Sequence, residues 1–178
     1  MASTRNSSPP AEPAARVAAC LERHVRQGER LVAALSGGID SVVLLHLLHD
    51  LSRHHGFQLS AVHVNHGLSP HADDWQAFCR SLCQSLGIPL EVARVEVQDV
   101  ATVGLEAAAR QARYAAFESV NADWLALAHQ RDDQAETLLF NLLRGAGLAG
   151  AAAMPVVRSF PGRTGPRILR PLLGAARA

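Results

Sequence analysis

Six residues, Ser36-Gly37-Gly38-Ile39-Asp40-Ser41, carry the strongest chemical signal in this chain. The apolar run 31–35 before them reads as a buried strand, and Val42-Val43-Leu44-Leu45 after them opens an apolar helix. A loop of small residues between a strand end and a helix N-terminus suits an anion. The first N–H groups of the helix lack partners, and the helix dipole favours negative charge there. Gly37 and Gly38 let the backbone approach a phosphate closely, and Ser36 and Ser41 offer hydroxyl donors. Asp40 places a carboxylate beside that phosphate, which suits a divalent cation bridging the two. The hexad matches neither the Walker pattern, which ends in Gly-Lys-Ser/Thr, nor the dinucleotide fingerprint G-x-G-x-x-G. All seventeen basic residues are arginine, so a P-loop lysine, a Schiff-base lysine and a lysine nucleophile are excluded.

Three further clusters have chemical potential. In His63-Val64-Asn65-His66-Gly67-Leu68-Ser69, Gly67 permits a tight turn while Asn65 and His66 can hydrogen-bond a base or ribose. In His129-Gln130-Arg131-Asp132-Asp133-Gln134-Ala135-Glu136-Thr137, acidic residues open a helix, where one of them can serve the helix terminus. Asp132 and Asp133 point about 100° apart, whereas Asp133 and Glu136 can share a face and hold Mg²⁺ or take a proton. His129 can contact phosphate or act as acid or base. On a third segment Glu106 and Arg110 form an i,i+4 pair and Arg113 continues the stripe. These read either as a solvated face or as arginines that neutralise phosphate.

The elements that must position these clusters alternate. Strands are expected at about 30–35, 57–65, 90–97 and 124–128, and helices at about 14–27, 39–54, 73–86, 105–121 and 132–144. Such alternation implies an α/β fold, a doubly wound parallel sheet with helices on both faces. These sheets bind ligands at the carboxyl ends of their strands, where 36–41, 63–67 and 129–133 fall. Residues 1–13, rich in Ser, Pro and Ala, read as a disordered leader, and 14–155 as the nucleotide-binding domain. Segment 147–153 is small and flexible in composition. Residues 156–160 and 168–170 can pair as a hairpin.

The hexad resembles the pyrophosphate loop of the PP-loop ATP pyrophosphatases. With His-Val-Asn-His-Gly-Leu-Ser, Asp73-Asp74-Trp75-x-x-Phe78-Cys79, Glu-x-x-x-Arg-x-x-Arg-Tyr-x-x-Phe, Ala-His-x-x-Asp-Asp-Gln-Ala-Glu-Thr, Leu-Leu-Arg-Gly-x-Gly-Leu-x-Gly and Arg-Pro-Leu-Leu in order, the chain from 30 to 173 resembles the tRNA(Ile)-lysidine synthases. That resemblance implies an ATP- and Mg²⁺-dependent ligase that joins L-lysine to the wobble cytidine of tRNA(Ile) with a CAU anticodon. The cytosine C2 oxygen would be adenylated, and the lysine amine would then displace AMP. It implies that Ser36, Gly37, Gly38, Ile39, Asp40 and Ser41 hold the pyrophosphate. Asp40, His129, Asp132 and Asp133 would be catalytic, with Asp40 and Asp133 at Mg²⁺. Asn65, His66, Glu106, Arg110, Arg113 and Glu136 would contact substrate or nucleotide. It also implies further tRNA-binding parts beyond this domain, with 156–178 leading toward them. Cytidine thiolases resemble the chain at the loop, but carry Lys in place of Ile39 and cysteines for an iron–sulfur cluster. An ATP-binding fragment without full activity is the alternative of a different class.

Composition narrows the setting. Every acidic residue lies at or before Glu136, and Arg144, Arg158, Arg163, Arg167, Arg170 and Arg177 follow it. A basic end suits a polyanionic partner, although a lysine-free composition also favours arginine in general. Cys20, Cys79 and Cys83 are an odd set without a secretory signal, which points to reduced thiols and a cytoplasmic location. No run of eighteen apolar residues is present, so no membrane partner is expected, and a homodimer stays open.

Overall fold

The computed structural model describes residues 12–143, 154–163 and 165–175. Of the leader expected at 1–13, residues 1–11 lie outside the described residues, as do the glycines after Leu143 and the segment 147–153, while Pro13 begins a helix. Six strands form one sheet: β1 (Arg30–Ala34), β2 (Gln58–Asn65), β3 (Leu90–Arg94), β4 (Trp124–Ala126), β5 (Val157–Arg158) and β6 (Arg167–Leu169). Their order is β3-β2-β1-β4-β6-β5, and only the β5–β6 pair is antiparallel. The helices are α1 (Pro13–His24), α2 (Ile39–His55), α3 (Ala72–Leu86), α4 (Val100–Val103), α5 (Leu105–Glu118) and α6 (Arg131–Leu143). The expected α/β fold is the one observed.

Alternation along the strands sends side chains to two cores. Leu31, Ala33, Trp124 and Ala126 face one core with Val17 and Leu21 of α1, Leu44, Leu45 and Leu48 of α2, and Cys79 and Cys83 of α3. Val32, Val62, Leu125 and Leu127 face the other, with Phe117 of α5 and Phe160. Because the central strands are covered on both faces, they read as continuous apolar runs. Each fully buried leucine contributes about 1.5–3 kcal/mol relative to exposure.

The helix ends obey local chemistry. Pro13 occupies the first turn of α1, where its missing N–H costs nothing. Gly56 closes α2 at φ 71°, and its N–H donates to the Ser52 carbonyl at 2.9 Å. The third strand ends at Arg94 rather than Val97, and the short helix α4 follows after Asp99, a non-glycine residue at φ 58°. The segment from 156 supplies β5 and β6 to the same sheet. Leu172 and Ala175 beyond β6 pack into the core of α1 and α2.

Strand β1 is flanked by β2 on one side and β4 on the other, because the chain winds outward from β1 through β2 to β3 and then crosses back to β4. That reversal opens a crevice at the carboxyl ends of β1, β2 and β4.

Candidate active site

The crevice holds a cavity of about 330 Å³. Its wall combines Ser36, Gly38, Asp40 and Ser41 after β1, His63, Asn65 and His66 at the end of β2, and His129 and Asp133 after β4. Arg110, Arg113 and Tyr114 of α5 and Trp75 of α3 complete it. Three loops distant in sequence thus meet where strand direction requires.

The loop is organised from within. The Ser41 hydroxyl donates to the Gly38 carbonyl at 2.8 Å and accepts from the Ser36 N–H at 3.2 Å. Its single proton being used, the Ser36 hydroxyl donates to Ser41 Oγ at 3.1 Å and accepts from the Gly38 N–H at 3.3 Å. Both hydroxyl protons are therefore committed to loop shape, and the donors left for an anion are main-chain N–H groups of the first turn of α2. Gly37 adopts φ 90°, a region side-chain-bearing residues rarely enter, whereas Gly38 is ordinary extended backbone at φ −75° and ψ 156°. A Cβ on Gly37 would lie 3.6 Å from Cys79 Sγ and 3.6 Å from Trp75 Cβ, so the conformation rather than crowding demands glycine.

Beneath the loop, buried His63 hydrogen-bonds through Nδ1 to the Leu35 carbonyl at 2.8 Å, and Cys79 Sγ sits 3.5 Å from the same nitrogen. Burial pushes the Cys79 thiol up to about 11, with neighbouring Cys83 adding to the effect. The thiol is a packed group, not a nucleophile. At the end of β2, the Asn65 carbonyl oxygen accepts from the Gly67 N–H at 2.9 Å, and its amide donates to Asp73 and Gln76. The side chain lines the cavity but shapes the turn. His66 is half-buried beside it. Its pKa is lowered by burial, then by Arg113 and His63, so the ring is neutral at pH 7.

After β4, Asp133 accepts from the Gln130 N–H at 2.7 Å, closing the first turn of α6 in the manner of a capping box. His129 is held by Arg170, whose Nε donates to His129 Nδ1 at 3.3 Å. The His129 pKa is lowered to about 4. Burial is the largest cause, followed by Arg170; Asp133 opposes the shift, and the guanidiniums of Arg110 and Arg113 add smaller contributions in the lowering direction. On α5 the Arg110 guanidinium lies over the Tyr114 ring, 5.0 Å from its centroid.

The structure gathers Ser36, Gly38, Asp40, Ser41, Asn65, His66, Arg110, Arg113, His129 and Asp133 on one cavity. It leaves others outside: Gly37 does not line the cavity, Ile39 is 74% exposed, and Asp132, Glu136 and Glu106 are exposed and not part of the wall. Among the described residues no ion pair joins Glu106 to Arg110, which stacks on Tyr114 instead. Sequence reasoning assigned no role to His63, Trp75, Tyr114 or Arg170. Arg170 carried a signal: a lone charge inside Ile168-Leu169-Arg170-Pro171-Leu172-Leu173, where flanking apolar residues predict burial.

Asp40 and Asp133 supply hard oxygen donors to the cavity, and among the described residues no cluster of three or more His, Cys, Asp or Glu forms a closed metal cage. Two carboxylates fit Mg²⁺, which keeps waters and takes phosphate oxygens for its remaining positions.

A Gly-rich loop at a helix N-terminus, two acidic side chains and two arginines, set at a topological switch point, define a nucleotide-handling α/β domain of the non-Walker kind. The chain belongs to the PP-loop domain family, whose profile matches residues 11–178. Among curated proteins it is 52% identical over 159 residues to the tRNA(Ile)-lysidine synthase of Nitrosomonas europaea, covering 89% of this chain and 34% of that protein. It is 53% identical to that of Aromatoleum aromaticum over 84% of this chain and 34% of the relative. With the Pseudomonas aeruginosa protein of the same name, identity is 55% over 82% of this chain and 32% of the relative. The chain thus spans about a third of the length of the relatives it matches. Among solved structures, the U34-tRNA thiolase NcsA from Methanococcus maripaludis shares the fold at a TM-score of 0.76 and 21% identity, over 93% of this chain and 59% of that one. NMN synthetase from Francisella tularensis shares it at 0.52 and 17%, over 94% and 66%.

Proposed function

We propose that this chain is the ATP-dependent catalytic part of a tRNA(Ile)-lysidine synthase. In this reading ATP adenylates the C2 oxygen of the wobble cytidine in tRNA(Ile) with a CAU anticodon, and the amine of L-lysine then displaces AMP. The observation that carries it is the single cavity joining the pyrophosphate loop to Asp133, Arg110 and Arg113, in a chain 52% identical to a lysidine synthase along nearly its whole length. The loop's main-chain N–H groups bind the β,γ-phosphates as they depart. Arg110 and Arg113 offset charge at the α-phosphate and nucleotide. Asp40 and Asp133 hold Mg²⁺, which supplies Lewis-acid stabilisation of the departing pyrophosphate. Lysine's ammonium is drawn to the acidic start of α6. The connection beyond residue 156 leads, in this reading, to the parts that grip tRNA. Three free cysteines suit work in the cytoplasm, and among the described residues no helix is long and apolar enough to cross a membrane.

The thiolase alternative gains no support from the cysteines. Cys79 and Cys83 are 0% and 1% exposed, and burial raises both thiols, the reverse of what a cluster ligand needs. The test is a chimera of these 178 residues with the remaining two-thirds of the Nitrosomonas europaea relative, given ATP, Mg²⁺, labelled lysine and CAU-anticodon tRNA. Lysine transfer that Asp40→Ala abolishes without lowering Tm is expected. A chimera that folds and binds tRNA yet transfers no lysine, beside an active relative, refutes the assignment.

A further inference from the structure

We infer that Arg170 is a positioning residue that fixes His129 as its Nε2–H tautomer, making the ring a neutral hydrogen-bond donor to an anionic oxygen of a nucleotide in the cavity. The nature of the ligand rests on the ATP reading above; the tautomer does not.

Arg170 is 2% exposed and stands behind the cavity wall rather than on it. A buried guanidinium must be satisfied by neighbours. Its Nη1 donates to the Pro155 carbonyl at 2.8 Å, and its Nε donates to His129 Nδ1 at 3.3 Å. The Tyr114 hydroxyl lies beside it without a hydrogen bond of standard geometry. A guanidinium carries donors only. The nitrogen that meets it must therefore offer a lone pair, so a neutral His129 carries its proton on Nε2. The charged groups around the ring are Arg170, then Arg110 and Arg113 from α5, against Asp133 from α6. Three guanidiniums and one carboxylate disfavour an imidazolium.

The consequence departs from an acid–base role. With Nδ1 occupied and Nε2 already protonated, the ring has no lone pair to accept a proton from substrate. It presents a preorientated N–H on the wall it shares with Arg110 and Arg113. One such donor aimed at developing negative charge accounts for about 10²–10³-fold in rate.

The test is two-bond ¹H–¹⁵N correlation NMR of the histidine rings in the 178-residue chain at pH 7. The Nε2–H pattern is expected for His129; an Nδ1–H ring or an imidazolium overturns the inference. Arg170→Met should release the ring to a mixture of tautomers, and Arg170→Lys, which keeps a buried donor, should restore Nε2–H. An unchanged ring in a folded Arg170→Met variant overturns the positioning role. If that variant fails to fold, the wild-type and Arg170→Lys spectra still decide. Adding ATP with Mg²⁺ should move both the Gly37 and Gly38 amides and the His129 Nε2 resonance. Movement of the loop amides alone overturns the donor role. No movement anywhere overturns the ATP reading and the ligand with it, while the tautomer stands on the unliganded spectrum. In the active chimera, His129→Gln keeps an N–H near the Nε2 position and should stay within about tenfold of wild type. His129→Asn should fall by about 10²–10³-fold. Equal losses overturn the assignment.

Discussion

Replacing Gly37 by alanine separates two explanations for the Gly-Gly pair. Gly37 sits at φ 90° and Gly38 at φ −75°, so only the first holds a backbone that a side chain opposes. Crowding is not the issue, because an added Cβ would meet Cys79 Sγ and Trp75 Cβ at 3.6 Å and Phe78 Cδ1 at 3.9 Å, ordinary contacts. The cost is therefore conformational, about 1–3 kcal/mol for a non-glycine residue held at positive φ. The chain can bear that cost as lost stability, or relax the loop and misdirect the N–H groups that meet phosphate. The sum of the two losses is what the structure sets. Expressed wholly in binding, it weakens ATP by about 5- to 150-fold. Calorimetric titration with Mg-ATP and urea unfolding together capture both routes. Gly38→Ala is the internal control, since its Cβ would lie 3.5 Å from Ser36 Oγ in a conformation any residue adopts. Gly38 is the N-cap of α2, where alanine is less favourable than glycine, so this variant should cost about 1 kcal/mol or less, below the combined loss from Gly37→Ala. If the two alanines prove equally harmful, or Gly37→Ala proves silent in both assays, the conformational argument is wrong.

Three other outcomes follow from the same geometry. His129 has its pKa lowered from 6.5 to about 4, so between those values the unfolded chain binds a proton that the native chain does not. Stability should drop by about 1–3 kcal/mol as pH falls from 6.5 to 4, and His129→Gln should flatten that slope in urea melts; parallel slopes would refute the assignment. Asp133→Asn keeps an acceptor for the Gln130 N–H but loses the charge, so it should fold with near-native stability and lose Mg²⁺-dependent turnover. Asp133→Ala should also lose about 1 kcal/mol of stability in thermal or urea melts, and equal stabilities would remove the capping role. Under native conditions at pH 8, a thiol reagent should modify half-buried Cys20 before Cys79 and Cys83. Early reaction at Cys79 would contradict its buried setting under the loop.

Much of this architecture is local and so was legible in the residues alone. Apolar runs mark β1, β2 and β4, glycines close α2 and α3, and the hexad after β1 announces an anion cradle. The rule that parallel sheets bind at their carboxyl edge then brought three loops together without coordinates. The acidic segment shows where this reasoning stops. Asp132, Asp133 and Glu136 have the same chemistry on paper, yet only Asp133 lines the cavity, because the rotation of α6 about its axis is set by packing. The serine hydroxyls were offered to phosphate by residue type, but their mutual geometry uses both protons inside the loop.

By itself, then, the sequence determined the fold class, the ligand edge and the phosphate loop, since strand period, helix caps and turn chemistry act over a few residues. Tertiary structure alone decided which polar groups are spent on one another. Asn65 is spent on its turn, and Arg170 meets His129 across 41 positions of sequence. Such pairings depend on which strand lies beside which and on how much water is excluded between them, and no local pattern encodes either. The protonation and reach of His129 belong to that second group, because a neighbour that follows the adjacent strand β6, distant in sequence, sets them.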